Sequence, residues 1–162
     1  MDRTVLLALN VLAGTPLRPL WSFLGEPWAA GVLVLGLVIL AAARRDARLI
    51  VLWIAAAILS NTLAAEVIKE WVDRPRPCAV MTLDLLAPCG ASAAMPSAHA
   101  ANTAALAVVA ASPALAVVAA VVGTSRVVSG QHWPSDVVAG WILGALIGAL
   151  VRAGAQRFFG WT

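Results

Sequence analysis

The chain alternates apolar blocks with short polar knots. Positions 28–43 carry no charge until Arg44, Arg45, Asp46 and Arg48. Positions 49–69 form a second block, entering as Leu-Ile-Val-Leu-Trp-Ile. Blocks of this length and character predict helices that cross a bilayer. The second carries Ser60, Asn61, Thr62 and Glu66 towards its far end. Polar groups are costly against lipid, so that end is predicted to face other helices. A polar, proline-rich loop follows over 70–96, and a last apolar block covers 137–151 ahead of Arg152 and Arg157. Positions 4–13 are apolar but too few to span, and Gly14, Pro16, Arg18 and Pro19 break the run. They predict a short helix lying in the membrane interface.

The block over 100–124 decides the topology. Read as one helix, it places His99 and His132 on opposite sides of the membrane. It contains Ser112-Pro113, which kinks a helix or turns a hairpin. A hairpin of arms 97–111 and 113–127 brings both histidines to one side. Basic residues gather on the cytoplasmic side, so the knot at Arg44, Arg45 and Arg48 is predicted inside. Five spans leave Arg152 and Arg157 inside as well, whereas four put them outside. The prediction is an all-α polytopic bundle of about five transmembrane helices plus a short N-terminal interfacial helix. The loops 70–96 and 125–136 then lie on the external side.

Composition agrees. The 162 residues suit one membrane-embedded domain, 1–162. Hydrophobic residues make up 62% and charged residues 12%, which excludes an ordinary soluble shell. The net charge is +3, but the basic residues are dispersed, so no nucleic-acid partner is expected. Cys78 and Cys89 share the polar loop. They form a disulfide if that loop lies outside the cytoplasm, or stay as two thiols.

The rare polar residues gather in clusters. Lys69, Arg74 and Arg76 open the loop, and Arg126 follows later. Fixed cations of this kind stabilise the charge of a phosphoryl group in transit. The bland alternative is a snorkelling lysine beside loop arginines. Pro96-Ser97-Ala98-His99 leads straight into an apolar helix. That is either a plain N-cap or a phosphate cradle made of the first N–H groups. His132 and Asp136 stand four residues apart, with Pro134 suited to a first helical turn. A carboxylate there holds one imidazole tautomer and leaves the other nitrogen as a nucleophile. The same pair read plainly is an interfacial hydrogen bond. Surrounding cations argue against a metal site, and no glycine-rich nucleotide loop is visible.

Lys69, Arg76-Pro77, Pro96-Ser97-Ala98-His99, and Ser125-Arg126 with His132 and Asp136 keep the order and spacing of three known motifs. The chain resembles the type 2 phosphatidic acid phosphatase superfamily of integral membrane lipid phosphatases, over residues 69–136. Ala98 stands where the family has glycine; it keeps the N–H and adds one methyl. The resemblance implies that His132 attacks phosphorus, Asp136 orients it, and His99 serves as acid and then base. It implies phosphate binding by Lys69, Arg76, Ser97, Ala98, Ser125 and Arg126, with no metal or other cofactor. Arg74 lies outside the motif and is a secondary candidate for a distal phosphate or headgroup. Size and sidedness resemble undecaprenyl-diphosphate phosphatases, so the expected partners are a lipid-phosphate substrate and the bilayer of the cell membrane. Phosphatidic acid or phosphatidylglycerophosphate is the alternative substrate. From another class, the fold could bind or move phospholipid without chemistry. Vanadate-dependent haloperoxidases share the motifs but are soluble.

Overall fold

The computed structural model describes residues 1–160. Among them every regular element is helical. The order is α1 (Asp2–Asn10), a 3-10 turn (Val11–Gly14), α2 (Arg18–Phe23), α3 (Pro27–Ala43) and α4 (Arg48–Asn61). A π-wound stretch (Thr62–Ile68) joins α4 to α5 (Lys69–Val72), and α6 (Pro77–Val80), α7 (Ala98–Ala110), α8 (Pro113–Val128) and α9 (Pro134–Phe159) follow.

The 100–124 block is a hairpin. Ala111 ends α7 in the left-handed conformation, Ser112 caps α8 through its hydroxyl, and Pro113 takes the first helical position. Proline there loses no hydrogen bond and cannot extend the preceding helix. The two arms are 13 and 16 residues long, about 20 and 24 Å at 1.5 Å per residue. The short α7 is buried on nearly every side, with Ala100, Ala101, Ala104, Ala105, Ala107 and Val109 among its buried residues. Helices α4, α8 and α9 surround it, so a helix too short to span is screened from lipid.

Arg48–Val80 and Pro134–Phe158 are long and apolar enough to cross a membrane, and three shorter apolar helices accompany them. Val34, Leu35, Ile39, Ile54, Ile58, Ile142 and Leu146 all point outward. Such a continuous apolar exterior is what lipid requires and water does not tolerate. The protein is therefore membrane-associated.

Helix α9 meets α7 through Gly140, Gly144 and Gly148. A Cβ on these would stand 2.5 Å from the Ser97 carbonyl oxygen, 2.0 Å from that of Ala101 and 2.7 Å from that of Ala105. Three glycines spaced by four thus face three α7 carbonyls spaced by four, and the backbones touch. This small-residue seam replaces the hydrophobic drive that lipid cannot supply between helices.

Helix α4 turns one stripe inward: Leu49, Trp53, Ala56 and Ser60. Asn61 and Thr62 fall outside that stripe and are exposed, contrary to the expectation that they face the bundle. The Glu66 side chain lies outside the described residues. At the far end of α7, Arg44 and Arg152 donate to the carbonyls of Ala110 and Val109. Cations there complement the negative end of the helix. The Arg44 knot and Arg152 therefore share one end of the bundle, and the start of α7 marks the other.

Candidate active site

The three polar clusters meet at the start of α7. The π-wound stretch rephases the chain ahead of Lys69, which is buried while Glu70 and Trp71 are exposed. Such insertions recur at functional sites. The chain then leaves the helix at Asp73 in the left-handed conformation. Arg74 and Arg76 follow, each directly ahead of a proline, and Arg76 is extended.

Arg76 is buried, and its guanidinium is almost fully engaged. It donates to the Ser92 carbonyl (2.7 Å), the Ser92 hydroxyl (3.0 Å) and the Gln131 carbonyl (3.1 Å). Its Nη1 also lies 3.3 Å from His132 Nε2. Arginine can only donate, so Nε2 must accept and carry no proton. The remaining ring proton is then on Nδ1, which faces Asp136 Oδ2 at 3.7 Å. That separation is too long for a hydrogen bond but close enough to stabilise an imidazolium. The geometry therefore selects the tautomer that carries its lone pair on Nε2.

Asp136 is fully buried. Its Oδ2 accepts the Trp133 N–H at 2.8 Å and its Oδ1 accepts from Arg74 at 2.7 Å. Its backbone carbonyl receives the Ser97 N–H at 3.0 Å. That bond ties the cradle at the start of α7 to the carboxylate at the start of α9. Ser97 is the residue before α7, so the first N–H groups of Ala98 and its successors have no partner within the helix. His99 stands in the first turn of α7. It lies within electrostatic reach of Arg126, His132, Lys69 and Arg76.

Ser97 Oγ, Arg126 Nε and His132 Nδ1 are buried polar atoms with no hydrogen-bond partner. Orphaned groups of this kind in one site are a mark of function. The Ser125 hydroxyl differs: it donates to the Val122 carbonyl in its own helix. Arg74 is bound by two carboxylates, Asp136 and Asp2. Its guanidinium is committed there rather than presented to a distal phosphate or headgroup.

Sequence reasoning missed four contributors. Ser92 takes Arg76 on both its oxygens and Lys69 Nζ at 3.3 Å. Gln131 holds the loop through the Gly90 N–H and the carbonyls of Ala87 and Pro88. Gly90 packs on the Arg76 guanidinium, where a Cβ would come within 2.9 Å of Cζ. Asp2 reaches Ser135 and Arg74 from α1. None belongs to a local motif, and each acts over a long sequence separation. Cys78 and Cys89 are joined in a disulfide that closes this loop. Among the described residues no group of three or more His, Cys, Asp or Glu is arranged to hold a metal.

Burial pushes the His132 imidazole down to about 4, with Asp136 opposing and Arg76 and Arg126 adding to the push. The ring is thus neutral until the pH falls through about 4. The acid limb of kcat/KM assigned to the nucleophile is expected near that value, once substrate ionisation is corrected for. A limb at the ordinary histidine value near 6.5 would count against the buried neutral ring.

The PAP2 superfamily model matches residues 50–159. The chain belongs to the PAP2 superfamily. It is a phosphatase by that membership. The fold resembles the crystal structure of Aquifex aeolicus LpxE, with a TM-score of 0.66 and 22% identity over 91% of this chain and 92% of that one. It also resembles the first transmembrane PAP2-type phosphatidylglycerolphosphate phosphatase of Bacillus subtilis. There the TM-score is 0.56 with 22% identity over 97% of this chain and 95% of that one. No curated protein sequence matches the chain.

Proposed function

We propose that this PAP2 protein is a lipid-phosphate phosphatase that works through a phosphohistidine at the external membrane face, without metal. The observation that carries the reading is the His132 tautomer: Arg76 donating to Nε2 puts the ring's lone pair on that nitrogen, and the pair becomes the nucleophile when Arg76 turns from it to the phosphate. The Nε2 lone pair attacks phosphorus and the bond to the lipid oxygen breaks. His99, which takes up a proton once the phosphate dianion stands beside it, gives that proton to the leaving oxygen. Water then attacks phosphorus, the phosphorus–nitrogen bond breaks with its electron pair returning to His132 Nε2, His99 takes the water's proton, and inorganic phosphate leaves. Lys69, Arg76 and Arg126 offset the charge on the equatorial oxygens, and the Ser97 hydroxyl and Ala98 N–H complete the cradle.

Five spans and an external site fit the bond between Cys78 and Cys89, since a disulfide persists in an oxidising compartment. The arginine knot at the opposite end fits a cytoplasmic side. An impermeant maleimide added to intact cells is expected to tag Trp71→Cys, at an exposed position beside the site, and to leave Arg48→Cys unlabelled. The reverse pattern would invert the topology.

The leading substrate is a polyprenyl diphosphate such as undecaprenyl diphosphate. A second reading, phosphatidylglycerophosphate, is favoured by the likeness to the Bacillus subtilis enzyme. It is also favoured by Arg74, which is paired with carboxylates and so is not offered to a second phosphate. The loop over 78–95 is proposed to select between headgroups. The test is phosphate release by detergent-purified protein in EDTA on undecaprenyl diphosphate, phosphatidylglycerophosphate and phosphatidic acid. Release that persists in EDTA is expected, and the ranking of kcat/KM assigns the substrate. Release that stops in EDTA and returns with a divalent ion would overturn the metal-free reading.

A further inference from the structure

Helix α1 is fastened to the site end of the bundle at both of its ends. At one end, Asn10 donates to the carbonyls of Val128 and Asp84 at 2.8 and 2.9 Å, and its side-chain oxygen accepts the Asp84 N–H. Asn10 is buried, and so is Leu6, which packs with Ala100, Val127 and Val137. At the other end, Asp2 Oδ1 accepts the Ser135 N–H and Oδ2 accepts the Ser135 hydroxyl and Arg74 Nη2. Arg74 Nη1 continues to the Ser135 hydroxyl and to Asp136 Oδ1. The guanidinium also lies 5.2 Å from the centre of the Trp133 ring, whose indole N–H is held by the Pro75 carbonyl. An unbroken chain of charge-assisted contacts thus runs from α1 to the carboxylate behind the nucleophile.

We propose that Asp2 and Arg74 are positioning residues of the phosphatase reaction: Asp2 fixes the Arg74 guanidinium, and Arg74 fixes Asp136 so that its Oδ2, held by the Trp133 N–H, faces His132 Nδ1. The proposal rests on His132 being the nucleophile. One carboxylate oxygen of Asp136 is turned towards the ring by Trp133, and the other needs a partner of opposite charge. Arg74 is that partner, yet it is partly exposed and carries many rotamers of its own. Asp2 removes that freedom by gripping the second guanidinium nitrogen. Burial raises the Asp2 pKa, but the hydrogen bonds from Ser135 and Arg74 outweigh it and hold the group below the ordinary carboxylate value. Asp2 is therefore an anion at neutral pH. Through it, the seating of α1 on the bundle bears on the chemistry.

The two residues do not touch the phosphate, so their loss is expected in kcat rather than KM. The test measures both constants for phosphate release by the full chain on phosphatidylglycerophosphate and undecaprenyl diphosphate. Asp2→Asn keeps the shape and removes the charge, and is expected to lower kcat about tenfold with KM within about twofold, as expected for misplacement remote from the chemistry. Arg74→Ala is expected to cost more, with partial rescue in Arg74→Lys. Asp2→Asn combined with Arg74→Ala is expected to be no worse than Arg74→Ala alone, because the two act in series. A melting temperature in the same detergent separates misfolding from misplacement, and Ser135→Ala, which keeps both charges, gives a milder second reading. Effects that multiply, an unchanged kcat in Asp2→Asn, or a rise in KM alone would each overturn the proposal; the last would restore Arg74 as a headgroup contact. His132→Ala distinguishes the failures. If wild-type release does not depend on His132, the proposed function and this inference fall together. If it does and Asp2→Asn matches wild type, only the inference falls.

Discussion

Replacing His132 with alanine is expected to end phosphate release, with a fall of at least about 10³-fold in kcat. No neighbour can substitute for it. The chain contains one other histidine, His99, which the proposed mechanism already uses as the proton donor. Asp136 has one oxygen on Arg74 and the other on the Trp133 N–H, so it is not poised to attack. What remains under the proposed mechanism is direct attack by water on a phosphate beside Lys69, Arg76 and Arg126, which the cations would still assist. A rapid alkaline quench of wild type should trap a phosphoryl group on nitrogen that is labile to acid. His132→Ala should trap none while its melting temperature stays close to wild type. His99→Ala should behave differently, forming the adduct slowly and clearing it slowly, because both half-reactions lose their proton carrier. If His132→Ala retained release, the nucleophile would have to be sought elsewhere in the site.

The sequence carried much of this in local patterns. Ser112-Pro113 marked a hairpin, and the hairpin alone allowed His99 and His132 to share an end. The spacing of His132 and Asp136 proposed their pairing, and Pro134 its place at a helix start. Arg74 shows where local reading stopped. Its position among Lys69 and Arg76 suggested a phosphate ligand, but its partners are Asp2 and Asp136, 72 and 62 residues away. Asp2 and Ser135 are separated by 133 residues, and no periodicity or motif encodes such a contact. Ser92 is one of several small polar residues in an irregular loop, and nothing local distinguishes it. Asn61 and Thr62 failed for a simpler reason. Polarity alone placed them inward, whereas the four-three-four stripe of Leu49, Trp53, Ala56 and Ser60 faces them out. The glycines of α9 were not read from the sequence, although Gly140, Gly144 and Gly148 repeat every four residues in an apolar helix, a spacing that goes with close helix contact.

That seam supports the second large expected effect. Gly144→Ala should lower the melting temperature and the activity together. The added Cβ would stand 2.0 Å from the Ala101 carbonyl oxygen and 2.7 Å from its carbon. These are backbone atoms of a buried helix, so no side-chain rotation relieves the clash, and α7 and α9 must separate. Overpacking of this kind costs about 1–3 kcal/mol, and more where the backbone itself must move. The displacement does not stay local. Ser97 donates its N–H to the Asp136 carbonyl one turn along the same seam, and Gly140 lies against the Ser97 carbonyl. Moving the helices apart therefore draws the cradle of Ser97, Ala98 and His99 away from His132 and Asp136. Shifts of about 1 Å in such a site cost about 10²-fold in rate. Gly31→Ala and Gly36→Ala are the matched controls, because neither Cβ would meet any atom within 4 Å. Alanine is the better helix former there, so both should keep wild-type activity and melt no lower than wild type. If Gly144→Ala behaved like these controls, the contact between α7 and α9 would have to be looser than described, and the cradle would need another support.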